Sequence, residues 1–222
     1  MNRRIALLVA ACALVALAGC SAPVSQPHDS PVNGTQVVAD HEAVLHDAGS
    51  FTVNVTLAGT SGNGRTVQSQ TVRADLDTGA YRLTRSANGV TQSAYVSDGA
   101  AYVRTSDGDR TVYAKRDVPA NQTAETVLEG SVLRRLASGE FAANGTTTVN
   151  GERVYRYEAT TSGTQGNTTT TAFVRSDGLV VRVDYAVRTD GNALDATVTY
   201  TDVGETDPRP DWLDAARANT SA

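Results

Sequence analysis

Apolar and polar positions change their spacing along the chain, and each change marks an element. Val37, His41, Val44, Leu45 and Ala48 recur at three- and four-residue intervals until Gly49, which predicts a helix over about 36–48. From Phe51 the period falls to two: Phe51, Val53, Val55 and Leu57 alternate with Thr52, Asn54 and Thr56, as in a strand with one buried face. Further runs at about 66–76, 80–87, 90–97, 100–105 and 111–116 are separated by Asp77-Thr78-Gly79, Asn88-Gly89, Asp98-Gly99 and Asp107-Gly108. Asn-Gly and Asp-Gly supply the positive φ of tight antiparallel connections, so these six strands form a meander.

Between Val118 and Gly139 the pattern returns to a helix. Ala124, Val127, Leu128, Val132 and Leu136 form one stripe, capped by Asn121 or Thr123, over about 121–138. A second strand set follows at 152–161, 168–176, 179–188 and 194–203, with Asp177-Gly178 and Asp190-Gly191 as turns. Pro208 and Pro210 then precede Trp212, Leu213 and Ala216, a short helical clasp. The expected fold is mainly β (α+β): one large curved antiparallel sheet, a half-barrel, with helices packed on its concave face. Residues 37–216 form a single domain on this reading, followed by a disordered tail at 217–222; two small domains split near 118–150 are the alternative.

The N-terminus carries a different signal. Arg3 and Arg4 precede an uncharged, largely apolar run from Ile5 to Ala18, too short to span a bilayer stably, and small residues end it. That predicts a signal peptide over 1–19. Leu17-Ala18-Gly19-Cys20 matches a lipobox, in which the Cys20 thiol is alkylated by a diacylglycerol-type lipid. Arg3-Arg4 is compatible with both twin-arginine and Sec export. Of two cysteines Cys12 leaves with the leader, so no internal disulfide is available. Residues 20–36, with Pro23, Pro27 and Pro31 among small polar residues, read as the lipidated cysteine and a flexible tether. The expected location is the outer face of the cell membrane.

Charge and side-chain chemistry narrow the function mainly by exclusion. Nineteen basic against 24 acidic residues give a net charge of −5, which disfavours nucleic acid as a partner. His41 and His46 lie five apart, not the four that places two ligands on one helix face, so they are read as part of a solvated helix face rather than a metal site. His28 falls in the tether, and no serine or cysteine sits in a nucleophile motif. Asp75 with Asp77, and Asp107 with Asp109, are turn residues. The chain is therefore read as non-enzymatic, without cofactor or metal. Six Asn-x-Ser/Thr sequons begin at Asn33, Asn54, Asn121, Asn144, Asn167 and Asn219; Asn33, Asn144 and Asn167, in expected exposed loops, are the best N-glycosylation acceptors.

In its order of elements the chain resembles the LolA and LolB type of lipoprotein carrier and the related mycobacterial lipid-binding lipoproteins. Its leader ending in Ala18-Gly19-Cys20, the strand Thr197-Val198-Thr199-Tyr200 with Asp202-Val203-Gly204, and the tail Pro210-Asp211-Trp212-Leu213 resemble a family of haloarchaeal lipoproteins of unknown function. The carrier resemblance implies a lipid or other apolar ligand held between the concave face and the second helix, lined by Phe51, Val53, Val55, Leu83, Leu128 and Tyr185. The other reading is an envelope structural or interaction module with a filled interior. Mass spectrometry of the membrane-extracted protein is expected to find Cys20 as the first residue, carrying a lipid mass with two chains, enough for stable attachment. A different N-terminus, or an unmodified thiol, contradicts this.

Overall fold

Period-two alternation and positive-φ turns produce one antiparallel sheet of twelve strands. The computed structural model describes residues 26–62, 64–128, 136–163 and 166–220. The leader, Cys20 and Val132 lie outside these residues. A two-residue strand β1 (Val32–Asn33) leads into helix α1 (Gly34–Ala48). The meander follows as β2 (Ser50–Ser61), β3 (Gly64–Asp75), β4 (Tyr81–Ala87), β5 (Val90–Ser97), β6 (Ala100–Ser106) and β7 (Thr111–Asp117). A short helix α2 (Ala124–Leu128) precedes β8 (Glu140–Val149), β9 (Glu152–Gly163), β10 (Gly166–Val174), β11 (Val180–Thr189) and β12 (Asn192–Thr201), and helix α3 (Leu213–Thr220) ends the described chain. At Asn88-Gly89 and Asp98-Gly99 both turn residues have positive φ (51° and 79°, 52° and 73°), as expected for these hairpins.

The strand order is β1-β8-β9-β10-β11-β12-β2-β3-β4-β5-β6-β7. The two strand blocks meet where β12 pairs with β2 from Ala193↔Thr60 to Thr201↔Thr52. The sheet curves without closing into a barrel, so β1 and β7 are its edges. Inside the curve, α1 presents Val37, His41 and Leu45, spaced by four, to a core that includes Phe51, Val53, Tyr200, Val180 and Val183. Burying a side chain such as Leu45 or Phe51 stabilises the fold by about 2 kcal/mol. Asn33 caps α1 through its Oδ1, which accepts from Thr35 N at 2.9 Å. Gly34 N donates to Gly139 O at 3.0 Å, and a Cβ on Gly34 would lie 1.8 Å from Leu136 O. The first turn of α1 is thus docked backbone to backbone on the segment that leads into β8.

Several expectations change. The folded part begins before position 37: Val32 pairs with Phe141 and is buried, and His28 is buried against the Tyr157 ring, 5.8 Å between centroids. Proline and small polar residues suggested a tether there, but Val32 supplies an apolar anchor. Strand β8 was not expected, because Glu140-Phe141-Ala142-Ala143-Asn144-Gly145-Thr146 lacks clean alternation; it pairs with β9 through a register shift between Ala143 and Thr146. Helix α3, for which the pattern named no face, lies on the outer face and runs to Thr220, so residues 217–220 are helical rather than part of a disordered tail. Tyr95, Tyr102 and Tyr113 share that face, and Trp212, Leu213 and Ala216 cover them, with the Tyr113 and Trp212 rings 6.3 Å apart. The connection from β12 to α3 crosses the outer face. Thr206 Oγ1 meets Thr52 Oγ1 at 2.9 Å, and Asp207 and Asp211 lie near Arg82, whose guanidinium pKa is lowered first by burial and then by Arg73 while the two carboxylates oppose the shift.

His41 and His46 part company. His46 is exposed and its Nε2 lies 3.1 Å from Glu125 Oε1, whereas His41 is completely buried, so the solvated-face reading fails for it. Its Nδ1 accepts from Val180 N at 3.2 Å and its ring packs edge-on against Tyr200 at 4.4 Å. Burial lowers its pKa from 6.5 to about 3, so the folded state holds the ring neutral. The unfolded chain takes up a proton below pH 6.5 that the folded state refuses until about pH 3, so this group removes stability as pH falls through that window. Urea unfolding at pH 5 is expected to show a loss of about 2 kcal/mol relative to pH 8 from this source. His41→Gln, which keeps an acceptor for Val180 N, is expected to flatten the profile by that amount; an unchanged profile contradicts the assignment.

Candidate functional site

Residues directly opposite one another in neighbouring strands share a face, so the register defines lines of side chains running across the sheet. One inner-face line crosses eleven strands from β8 to β7: Ala143, Tyr157, Ala172, Val183, Val198, Val55, Gln70, Arg85, Gln92, Thr105 and Val112. Toward the start of β2 the inner face is packed. The Val53–Val72–Leu83 line and the Phe51–Ala74–Tyr81–Val96–Ala101 line lie there, with Leu128 and Leu136 in the same core. Toward the end of β2 that packing stops. The next line outward is Ala159, Thr170, Tyr185, Ala196, Leu57 and Gln68, and the one after it Thr161, Thr168, Val187, Leu194, Gly59 and Thr66. Leu57 and Leu194 are 38% and 39% exposed on this inner face, as is Val112 at 51%.

The concavity is therefore filled at one end and open at the other. A cleft of about 360 Å³ lies at the open end, lined by Val55, Leu57, Gln68, Gln70, Arg85 and Ala87 with Ser69 and Ser86. That volume lies at the small end of the range for ligand sites. Charge is strongly segregated between faces. The lines through Val55, Leu57 and Gly59 contain no carboxylate, and Arg85 is their one charged residue. The ion pairs lie outside: Arg182 Nε meets Asp184 Oδ1 at 2.8 Å, and Arg188 pairs with Asp195 and Arg156 with Glu158 on the same outer face.

The residues proposed to line a ligand share this inner side but not one environment. Phe51, Val53 and Leu128 are buried in the closed end, where they are core; Val55, Leu83 and Tyr185 are half-buried at the boundary. The sequence reading missed Leu57, Leu194, Gln70 and Arg85, although Arg85 falls two residues after Leu83 in an alternating run, the one signal that could have placed it on the inner face. The three preferred sequon asparagines are exposed, but not in loops. Asn33 caps α1; Asn144 sits at the bulge of β8, where Gly145 takes a φ of 74°, and donates to Glu158 at 3.5 Å; Asn167 pairs within β10. Among the described residues no group of three or more His, Cys, Asp or Glu is placed to hold a metal ion, and no helix is long and apolar enough to cross a membrane.

Residues 4–216 match the model of a family of unknown function (DUF7537), and the chain belongs to that family. No curated protein matches it. Among solved structures the chain is similar in fold to the lipoprotein LppX of Mycobacterium tuberculosis, with 15% identity and a TM-score of 0.42 over 77% of this chain and 96% of that one. It is similar to LprF from Mycobacterium bovis, with 13% identity and a TM-score of 0.47 over 80% and 96%. A LolA superfamily protein from Nitrosomonas europaea gives 12% identity and a TM-score of 0.29 over 82% and 97%.

The contrast between the two ends is measurable. Phe51→Ala is expected to cost about 3–5 kcal/mol in denaturant unfolding, because it leaves a cavity in packed core. Leu57→Ala is expected to cost less than about 1 kcal/mol, since its side chain already meets solvent. Equal costs would mean that the open end is packed after all.

Proposed function

We propose that this member of the family is a non-catalytic carrier or sensor that holds a lipid or another apolar ligand in the open end of its half-barrel. The observation that carries the reading is the apolar run of exposed Leu57 and Leu194 beside half-buried Val55, Tyr185 and Val187 on a concave face otherwise used for core. Apolar surface left uncovered inside a curved sheet is costly in water, and a ligand that covers it recovers part of that cost. No step of chemistry is assigned, because the groups that face the cleft are amides, hydroxyls, hydrocarbon and a single guanidinium. The proposed setting is the outer face of the cell membrane, reached by export and held by a lipid on Cys20. N-glycosylation at Asn33, Asn144 or Asn167 belongs to the same proposal, and their exposure supports it.

Native mass spectrometry, with organic extraction, of protein produced in its own membrane with Cys20→Ser tests the reading. A lipid at near one-to-one stoichiometry is the expected result. Repeatedly empty preparations, with added lipid failing to bind, would replace the carrier by an envelope interaction module whose concavity serves packing alone.

A further inference from the structure

The inner-face line across the sheet changes chemistry between β2 and β3. From β9 to β2 it reads Tyr157, Ala172, Val183, Val198 and Val55; from β3 to β6 it reads Gln70, Arg85, Gln92 and Thr105. The cleft straddles that boundary, with Val55 and Leu57 on one side and Gln70 and Arg85 on the other. Arg85 Nε donates to Gln70 Oε1 at 2.9 Å, which holds the guanidinium along the polar wall. Four of its five donors are not used in that bond. No carboxylate among the described residues forms an ion pair with it, in contrast to Arg156, Arg182 and Arg188 on the outer face. In a chain of net charge −5, a cleft whose inner-face lines hold Arg85 and no carboxylate has a defined electrostatic preference.

The geometry points to an amphiphile with an anionic phosphate headgroup as the occupant: its hydrocarbon lies along Val55, Leu57 and Tyr185, and its phosphate meets Arg85 flanked by Gln70 and Gln92. This rests on the reading of the open end as an apolar-ligand site. A guanidinium fork matches phosphate oxygens in pairs, and the amides of Gln70 and Gln92 add neutral donors. An uncharged headgroup leaves the guanidinium without a counter-charge, and a cationic one is repelled. The apolar wall supplies affinity for any chain of suitable length, while Arg85 selects the headgroup.

Titration calorimetry of the purified full-length protein with three probes of equal chain length, each below its micellar concentration, tests this: decyl phosphate, decyl glucoside and decyltrimethylammonium. The expected result is that decyl phosphate binds at least about tenfold more tightly than decyl glucoside, with the cationic probe weakest. Arg85→Gln is expected to bring phosphate and glucoside within about twofold of each other, mainly by weakening the phosphate probe. Arg73→Gln, the same loss of charge on the outer face, is expected to leave the preference intact. Equal binding of the phosphate and glucoside probes by the unaltered protein, or a preference that survives Arg85→Gln, overturns the assignment to Arg85 while the apolar site stands. Failure of all three probes to bind overturns the apolar site itself.

Discussion

Continuous register across eleven strands is the constraint on which the molecule depends. Each side chain in such a sheet has two faces to choose between, and a slip of one residue in any pairing would exchange them from that strand onward. The pairings carry Val55 into line with Val198 and Val183 on one side and with Gln70 and Arg85 on the other. Inner core, outer ion pairs and open cleft all follow from that alignment. The hairpins keep it locally, through turns such as Asn88-Gly89, and the β12–β2 pairing keeps it between residues more than 130 positions apart.

Helix α1 sets how deep the filling goes. Its Val37, His41 and Leu45 stripe meets the sheet near the start of β2, and its N-terminus is held there by the Gly34–Gly139 hydrogen bond. A side chain on Gly34 would be driven into the Leu136 carbonyl, so close backbone approach fixes the position of the helix. His41 adds a polar link to Val180 inside the core while its other ring nitrogen, Nε2, has no hydrogen-bond partner among the described residues. Burial without charge is affordable only for the neutral ring.

Local pattern made much of this legible. Gly49 ended the first helix as its spacing implied, taking a φ of 73°, and the Phe51–Leu57 alternation placed four residues on one face correctly. Three things were hidden. Strand β8 is polar and bulged, so neither alternation nor apolar content announces it. The inward direction of His41 was present in the helical stripe but was obscured by the acidic neighbours Asp40, Glu42 and Asp47. Arg85 shares an alternating run with Tyr81 and Leu83, yet its significance lies in the absence of acids on other strands, and that follows from long-range pairing rather than from any window of sequence. The boundary between packed and open ends was hidden for the same reason: Phe51 and Leu57 look alike within one strand, and the seating of α1 separates them.

The two ends of the described chain secure opposite edges of the sheet. Residues 28–33 lie against Tyr157 and Phe141 at the β1–β8 side, while α3 lies over β5 to β7 after its strap has crossed Thr52 and Arg82. Mechanical load entering through the N-terminal segment would thus fall first on β1, whose ladder is two residues long, and on the docking of α1 behind it. The cleft between β2 and β4 lies several strands away, and its strands are strapped from outside at their packed end. Pulling at the N-terminus would peel the molecule from its short edge while leaving the cleft's walls in register, so tension and occupancy are borne by different parts of one sheet.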